Sequence, residues 1–194
     1  MLSVPQQRIK RLVDVVFSLI GILLLLIPIL LLVVISSLST NSIGVFSQKR
    51  VGRHAEIFTL FKIKTMKEYS DGKVVVTRFG NFLRKSKLDE LLQLFNVLFN
   101  QMSFVGPRPD ILGYADLLKG EDRIILTVKP GVTGPATLKF SNEENILSKQ
   151  KSPLEYNDIV IWPQKVEINK IYVQEWNLMK DFRYMYLTIL QVFH

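Results

Sequence analysis

Asp89 and Glu90 are adjacent acids set among cations: Arg78, Arg84, Lys85 and Lys87 precede them, and Arg108 follows within Val105-Gly106-Pro107-Arg108-Pro109. Two carboxylates can hold a divalent cation such as Mg²⁺ together with phosphate oxygens, and arginine offers phosphate a planar, bidentate fork. Pro107 and Pro109 fix the backbone on either side of Arg108. These residue types suit a site that receives phosphates and a metal. The same pair also suits the first turn of a helix, where free N–H groups favour ionised carboxylates. The chain has no cysteine and only two histidines, His54 and His194, which excludes disulfides, thiolate chemistry and multi-histidine metal centres. Acid or nucleophilic chemistry therefore falls to carboxylates.

Several elements must position these groups. Ser86 ahead of Asp89, with Leu88, Leu91, Leu92, Phe95, Leu98 and Phe99 at helical spacing, predicts a helix from Lys87 to about Asn100 that carries both acids in its first turn. Val45-Phe46 and Ile57 to Phe61 predict two strands joined across Val51-Gly52-Arg53 as a hairpin. Lys62 and Lys64 share a face if that segment stays extended, either as a solvated edge or as a phosphate contact. Asp110 to Lys119 predicts a short helix stopped by Gly120. In Lys129-Pro130-Gly131-Val132-Thr133-Gly134 the glycines allow either a plain turn or close approach of backbone to a ligand. Val166 to Phe193 predicts helix rich in aromatic and basic residues, suited to a lipid headgroup layer or to a core.

Val15 to Ile35 carries no charged residue and is long enough to cross a bilayer core. Pro28 interrupts it, and basic residues flank both ends, with Arg8, Lys10 and Arg11 before and Lys49, Arg50 and Arg53 after. A span normally shows that bias on one side only. Both features fit a re-entrant helix that dips into one leaflet, breaks at Pro28 and returns. Residues 1–42 then form a membrane anchor and residues 43–194 a single domain. The formal charge of +8 fits an anionic partner, whether nucleic acid, anionic lipid or a diphosphate. No nucleic-acid recognition motif surrounds the basic residues, and the apolar segment favours the membrane.

Three ordered stretches carry a family resemblance: Thr77-Arg78-Phe79-Gly80-Asn81-Phe82-Leu83-Arg84-Lys85, then Leu88-Asp89-Glu90-Leu91-Leu92-Gln93-Leu94-Phe95-Asn96-Val97-Leu98, then Met102 to Pro109. Together they resemble the small monotopic phosphoglycosyl transferases, bacterial sugar transferases, along nearly the whole chain. The resemblance implies an α+β fold: a re-entrant helix broken at Pro28, a small, mostly helical catalytic domain with a short β-hairpin, and interfacial amphipathic helices at the cytoplasmic face of the inner membrane. It implies transfer of a phospho-sugar from a UDP-sugar to a polyprenol phosphate such as undecaprenyl phosphate, with Mg²⁺, releasing UMP. Asp89 would be the nucleophile and Glu90 its partner, both at the metal. Arg84, Arg108, Pro107, Pro109, Lys62, Lys64, Arg78 and Thr133 would contact substrate or phosphate. Two positions depart from the family's common pattern: Ile27 stands before Pro28 where serine is common, and Pro135-Ala136-Thr137 stands where Trp-Ala-Gln is common. The rival expectation is a membrane-anchored, non-catalytic binding protein, and self-association as a homo-oligomer stays open.

Overall fold

The computed structural model describes residues 2–193. Its first element, α1 (Val4–Thr40), runs for 37 residues as one continuous helix through Pro28, without the break expected there, about 55 Å at 1.5 Å per residue. Ser3 and Gln6 start it with a reciprocal capping box. Burial along α1 is inverted relative to a helix in water: Lys10, Asp14, Ser18, Ser36 and Thr40 are buried together with Ile29, whereas Leu23, Leu24, Ile27 and Leu38 are 78%, 73%, 71% and 79% exposed. Leaving such a face in water costs about 25 cal/mol per Å² of apolar surface, a cost that lipid surroundings remove. The helix thus presents leucine and isoleucine to its surroundings and turns its polar residues, with an apolar strip around Ile29, toward its own domain, as expected of a membrane-associated element.

That polar face ties α1 to the domain near both ends. Lys10 Nζ donates to Asp181 Oδ2 at 2.5 Å, in a buried group that also holds the Tyr172 hydroxyl and the Trp176 indole N–H. Asp14 Oδ1 accepts from the Ser103 hydroxyl and the Phe104 backbone N–H, both at 3.0 Å. Thirty-odd Å further along α1, the Ser36 hydroxyl donates to the Lys64 carbonyl. Between these ends Gly21 lets Leu94 come close, and Ile29 packs with Ile63, Leu83 and Leu92.

The domain begins with the expected hairpin. β1 (Val45–Val51) pairs antiparallel with β2 (Ile57–Ile63), Val51 opposite Ile57. A second short hairpin joins β3 (Met66–Glu68) to β4 (Val74–Val76) around the Asp71-Gly72 turn, where Gly72 has φ +80.

The predicted single helix from Lys87 to Asn100 does not form. Instead α2 (Arg78–Lys85) is capped by Thr77, whose hydroxyl accepts from the Gly80 N–H. Ser86 closes α2, its hydroxyl donating back to the carbonyls of Phe82 and Leu83, so it ends one helix where the spacing had it starting another. Lys87 then takes a left-handed φ of 57, Leu88–Glu90 form one 3₁₀ turn, and α3 covers only Gln93–Leu98. Apolar residues three apart suit a 3₁₀ turn as well as an α-helix, so periodicity alone did not separate the two.

β5 (Ser103–Val105) and β6 (Gly131–Thr133) form a parallel pair. The helix expected over Asp110 to Lys119 is reduced to a 3₁₀ turn at Ala115–Leu117. Gly120, with φ +56, opens a further 3₁₀ stretch to Thr127. Short helices α4 (Pro135–Lys139), α5 (Glu143–Ser148) and α6 (Pro153–Tyr156) lead to α7 (Trp162–Gln174) and α8 (Leu178–Phe193). Tyr172, Val173 and Trp176 join a core with Leu2, Val105 and Val128, whereas Met179, Tyr186 and Ile189 on α8 are exposed. The aromatic C-terminal segment therefore divides between core and surface.

Gly80 is where α2 meets the chain before β3: a Cβ there would lie 2.0 Å from the Thr65 carbonyl oxygen and 2.7 Å from its carbon. Backbone atoms cannot swing aside as a side chain can. Gly80→Ala should therefore cost about 1–3 kcal/mol, lowering the melting temperature in detergent by about 2–12 °C. An unchanged melting temperature would contradict this packing.

Candidate active site

Asn96 sets the registration of the site. Fully buried in α3, its amide donates to the Thr59 carbonyl (2.7 Å) and to Gln101 Oε1 (2.6 Å) and accepts from the Phe61 N–H (3.1 Å). These bonds satisfy the outer edge of β2 and clamp it to α3, the helix that follows the acidic turn. Lys62, the next residue of β2, consequently reaches Glu90 Oε1 at 2.7 Å. Arg108, from the Pro-Arg-Pro segment after β5, approaches the same oxygen at 3.4 Å. Pro107 and Pro109 are buried; their carbonyls accept from the Gly131 N–H and the Arg50 guanidinium.

The two acids are treated differently. Burial works to raise the Glu90 carboxyl, but Arg108 and then Lys62 outweigh it and hold its pKa at about 2. Asp89 shifts the other way: burial and then the charge of Glu90 raise its pKa, against the pull of Lys62, Lys87 and Arg84. Among the described residues no hydrogen-bond donor reaches the Asp89 carboxylate, although the residue is 8% exposed and lines the cleft. Glu90 is thus pinned and ionised, whereas Asp89 is unbonded and the more basic of the two.

The surrounding cleft has a volume of about 950 Å³. Around the acids it is cationic, with Lys62, Lys64, Arg84, Lys87 and Arg108 in its walls. Arg84 is held by an Nε bond to Thr65 Oγ1 at 3.0 Å, and Lys64 by Ser42 Oγ at 2.8 Å. The opposite wall, from α4, α5 and α7, is rich in acceptors. Asn169 is 5% exposed, lines the cleft and makes no hydrogen bond through its side chain among the described residues; its Oδ1 and the Thr137 hydroxyl are buried without partners. Lys165, one turn earlier on α7, pairs with Glu143 at 2.6 Å. Asp110 sits among these groups, and burial raises its pKa to about 7 against Lys165, Arg50 and Arg108, with Glu143 adding to the rise.

The structure gathers Asp89, Glu90, Lys62, Lys64, Arg84 and Arg108 in one cleft. It does not bring Arg78, Pro107, Pro109 or Thr133 into the lining. Arg78 is exposed at the start of α2, and Thr133 is buried in β6 with its hydroxyl against Thr188 of α8. Arg50, Asp110 and Asn169 also line the cleft, outside the residues the sequence points to. A signal existed for Arg50, since Phe46, Gln48 and Arg50 alternate along β1 and all three line the cleft. Asn169 and Lys165 are four apart on α7, a spacing that shares a helix face but does not say which one.

As a metal site, Asp89 and Glu90 supply two carboxylates, and among the described residues no group of three or more acidic or histidine ligands assembles. A cation of the Mg²⁺ type fits such a pair, because it takes one or two protein carboxylates and completes its shell with phosphate oxygens and water.

The cation-lined cleft around two unequal carboxylates sits on a domain fastened to a helix long and apolar enough to associate with a membrane. The chain belongs to the bacterial sugar transferase family, whose model matches residues 5–194. It is 34% identical over 200 residues to the UDP-glucose:undecaprenyl-phosphate glucose-1-phosphate transferase of Klebsiella pneumoniae, an alignment covering 95% of this chain and 40% of that one. The Escherichia coli protein of the same name is 33% identical, covered over 42% of its length. The uncharacterized sugar transferase EpsL of Bacillus subtilis is 32% identical, with 95% of this chain and 87% of EpsL aligned. The chain therefore spans about two fifths of the two glucose-1-phosphate transferases.

The Asp110 shift sets a pH dependence. Between pH 3.8 and about 7 the folded chain holds a proton that the unfolded chain has released, so this group lowers stability as pH rises through that window. Asp110→Asn removes the effect. The melting temperature of the variant relative to wild type should climb from about pH 4 to about pH 7 and then level off; a constant difference across that range would contradict the burial of Asp110.

Proposed function

We propose that this chain transfers a phospho-sugar from a UDP-sugar to a polyprenol phosphate, undecaprenyl phosphate in a bacterium, giving polyprenyl diphosphate sugar and UMP and initiating surface glycan synthesis. The observation that carries the reading is the inequality of the acids: one cleft holds an ionised, doubly paired Glu90 beside an unbonded, more basic Asp89. The relatives' names agree with it, two of them being UDP-glucose:undecaprenyl-phosphate glucose-1-phosphate transferases.

In this reading an Asp89 carboxylate oxygen attacks the β-phosphorus of the donor, the one that bears the sugar. The bond from that phosphorus to the oxygen bridging the two phosphates breaks, and UMP leaves with that oxygen. A phosphate oxygen of the polyprenol phosphate then attacks the same phosphorus and expels the Asp89 carboxylate. A nucleophile needs an available lone pair of sufficient basicity: Lys62 and Arg108 both meet Glu90 at Oε1 and lower its basicity, whereas among the described residues neither Asp89 oxygen takes a donor. With its pKa near 2, Glu90 is a poor base; its role is to fix Lys62 and Arg108 and to share the metal. Mg²⁺ held by the two carboxylates would neutralise charge on the diphosphate. Arg84, Arg108 and Lys64 bind phosphate oxygens, while the acceptor-rich wall of Asn169, Thr137 and Asp110 receives the sugar hydroxyls, since carboxylates there would repel a phosphate.

The same reading places α1 in one leaflet, re-entrant about Pro28, with the domain at the cytoplasmic face of the inner membrane. The ties of Lys10 to Asp181 and of Ser36 to Lys64 support it, because both ends of α1 meet one domain. A crossing helix would carry one end to the far side of a bilayer core about 30 Å thick. Reporter tags on the two termini should label from the same side; opposite-side labelling would refute the re-entrant geometry.

Purified protein in detergent with Mg²⁺, undecaprenyl phosphate and a panel of UDP-sugars should release UMP with at least one donor, by ping-pong kinetics. Asp89→Asn should abolish release without loss of membrane association; turnover at the wild-type rate would remove Asp89 as nucleophile. No UMP from any donor, with membrane association insensitive to loss of Asp89 or Glu90, would favour a non-catalytic membrane-anchored protein. Arg108→Lys keeps the charge but loses the fork, so KM for the donor should rise about tenfold or more, the loss of roughly one charged hydrogen bond. A wild-type KM would make Arg108 structural.

A further inference from the structure

A second cavity, of about 520 Å³, lies between the N-terminal turns of α1 and the segment Thr127–Lys129, and shares no lining residue with the catalytic cleft. Five cations line it: Arg8, Lys10, Arg11, Arg53 and Lys129. Lys10 is the one of the five with an acidic partner within 4 Å among the described residues, namely Asp181. Arg11 donates to the carbonyls of Val97 and Leu98, Arg53 to Gln7 Oε1, and Lys129 to Asn100 Oδ1, all uncharged acceptors. Arg53 Nε is buried without any partner, and Arg8 is exposed and unpaired among the described residues. The remaining charged group in the lining is Asp14, already bonded to Ser103 and Phe104. The like charges crowd one another: burial, then Arg11, with Arg53 and Lys10 adding to them, bring Lys129 down to about 8 even though Asp14 pulls the other way.

Apart from Gln7, Ser103 and Thr127, the rest of the lining is apolar: Leu2, Val4, Leu12, Val15 and Val128. Leu12 is 65% exposed beside it, Val15 continues it, and both belong to the helix whose outer face is leucine and isoleucine. An occupant must therefore be negative at one end and hydrocarbon at the other, and it must arrive from the plane in which α1 lies. Generic surface electrostatics would not need a cavity, and a free anion would not need the apolar wall.

We propose that this cavity is a binding site for one anionic glycerophospholipid, its phosphate among Arg8, Arg53 and Lys129 and an acyl chain along Leu12 and Val15, distinct from the catalytic cleft. The bound lipid would fix the N-terminal half of α1 against the domain and so set the depth at which the cleft meets the membrane. Binding energy from the charged contacts is retained because the site is partly desolvated, whereas exposed lysines elsewhere are screened by salt.

The test measures the melting temperature of the full chain in neutral detergent against added phosphatidylglycerol, phosphatidylcholine, undecaprenyl phosphate or inorganic phosphate. A ligand that binds only the folded protein raises it in proportion to occupancy. Phosphatidylglycerol should raise it saturably, while phosphatidylcholine and inorganic phosphate should not. The double variant Arg8→Gln/Lys129→Gln should need about tenfold more phosphatidylglycerol for the half-maximal shift. A control of equal charge change on exposed residues, Lys149→Gln/Lys151→Gln, should behave as wild type. Equal losses in both double variants would reduce the effect to net charge and overturn the proposal. So would an equal shift with phosphatidylcholine or inorganic phosphate, or a shift with undecaprenyl phosphate that the Arg8/Lys129 variant alone loses, which would make the cavity an acceptor site. If the double variant fails to fold, Arg8→Gln alone, at an exposed position, gives the same comparison.

Discussion

The ion pairing of Glu90 with Lys62 and Arg108 is the interaction on which the site depends. Burial would push Glu90 toward neutrality, and the two cations reverse that, so a desolvated carboxylate stays charged. The cations come from separate places in the chain, one from the end of β2 and one from between two prolines after β5. Glu90 therefore fastens three segments at once. Asp89, the neighbouring residue on the same 3₁₀ turn, is left without a donor among the described residues and takes the opposite shift. Two identical functional groups, side by side in sequence, acquire different chemistry because one of them absorbs the nearby cations.

The second constraint is the reversal of polarity along α1. Its buried side chains are, Ile29 apart, a lysine, an aspartate, serines and a threonine, and its exposed ones are mostly leucine, isoleucine and valine. The domain is attached to that helix by buried hydrogen bonds near its two ends and, between them, by an apolar seam of Leu25, Ile29, Leu32 and Val33 against Ile63, Leu83 and Leu92; the buried bonds gain strength away from water. Near the start of α1 they join Asp181, Tyr172 and Trp176 from the C-terminal helices. Near its end they join Lys64, adjacent to the cationic wall of the cleft. The placement of the site relative to lipid and the integrity of the site are consequently set by the same helix.

Much of this was legible in the residues. The β1–β2 hairpin followed from two β-branched and aromatic runs around a glycine turn, and the apolar segment from its length. Asp89, Glu90, Arg84, Arg108, Lys62 and Lys64 do meet in one cleft. The central helix was misread because Ser86 can cap a helix beginning or bond back to one ending, and local spacing does not say which. The left-handed Lys87 that decides the matter is a tertiary outcome with no glycine to announce it. Asp110 and Asn169 were out of reach for a different reason: a single aspartate or asparagine carries no pattern, and only the approach of α7 to the β1–β2 wall gives either one a role. Thr133 shows the converse, a residue in a suggestive glycine loop whose hydroxyl turns toward α8 instead.

The most direct measurement is to incubate the protein with a UDP-sugar labelled in its β-phosphate, omit the lipid acceptor, quench, and map the label by peptide mass spectrometry. The account predicts one labelled carboxylate, Asp89, that is discharged when polyprenol phosphate is added before the quench. Label on Glu90 or on another residue, or transfer that proceeds with both substrates bound and no labelled protein at any time, would contradict it.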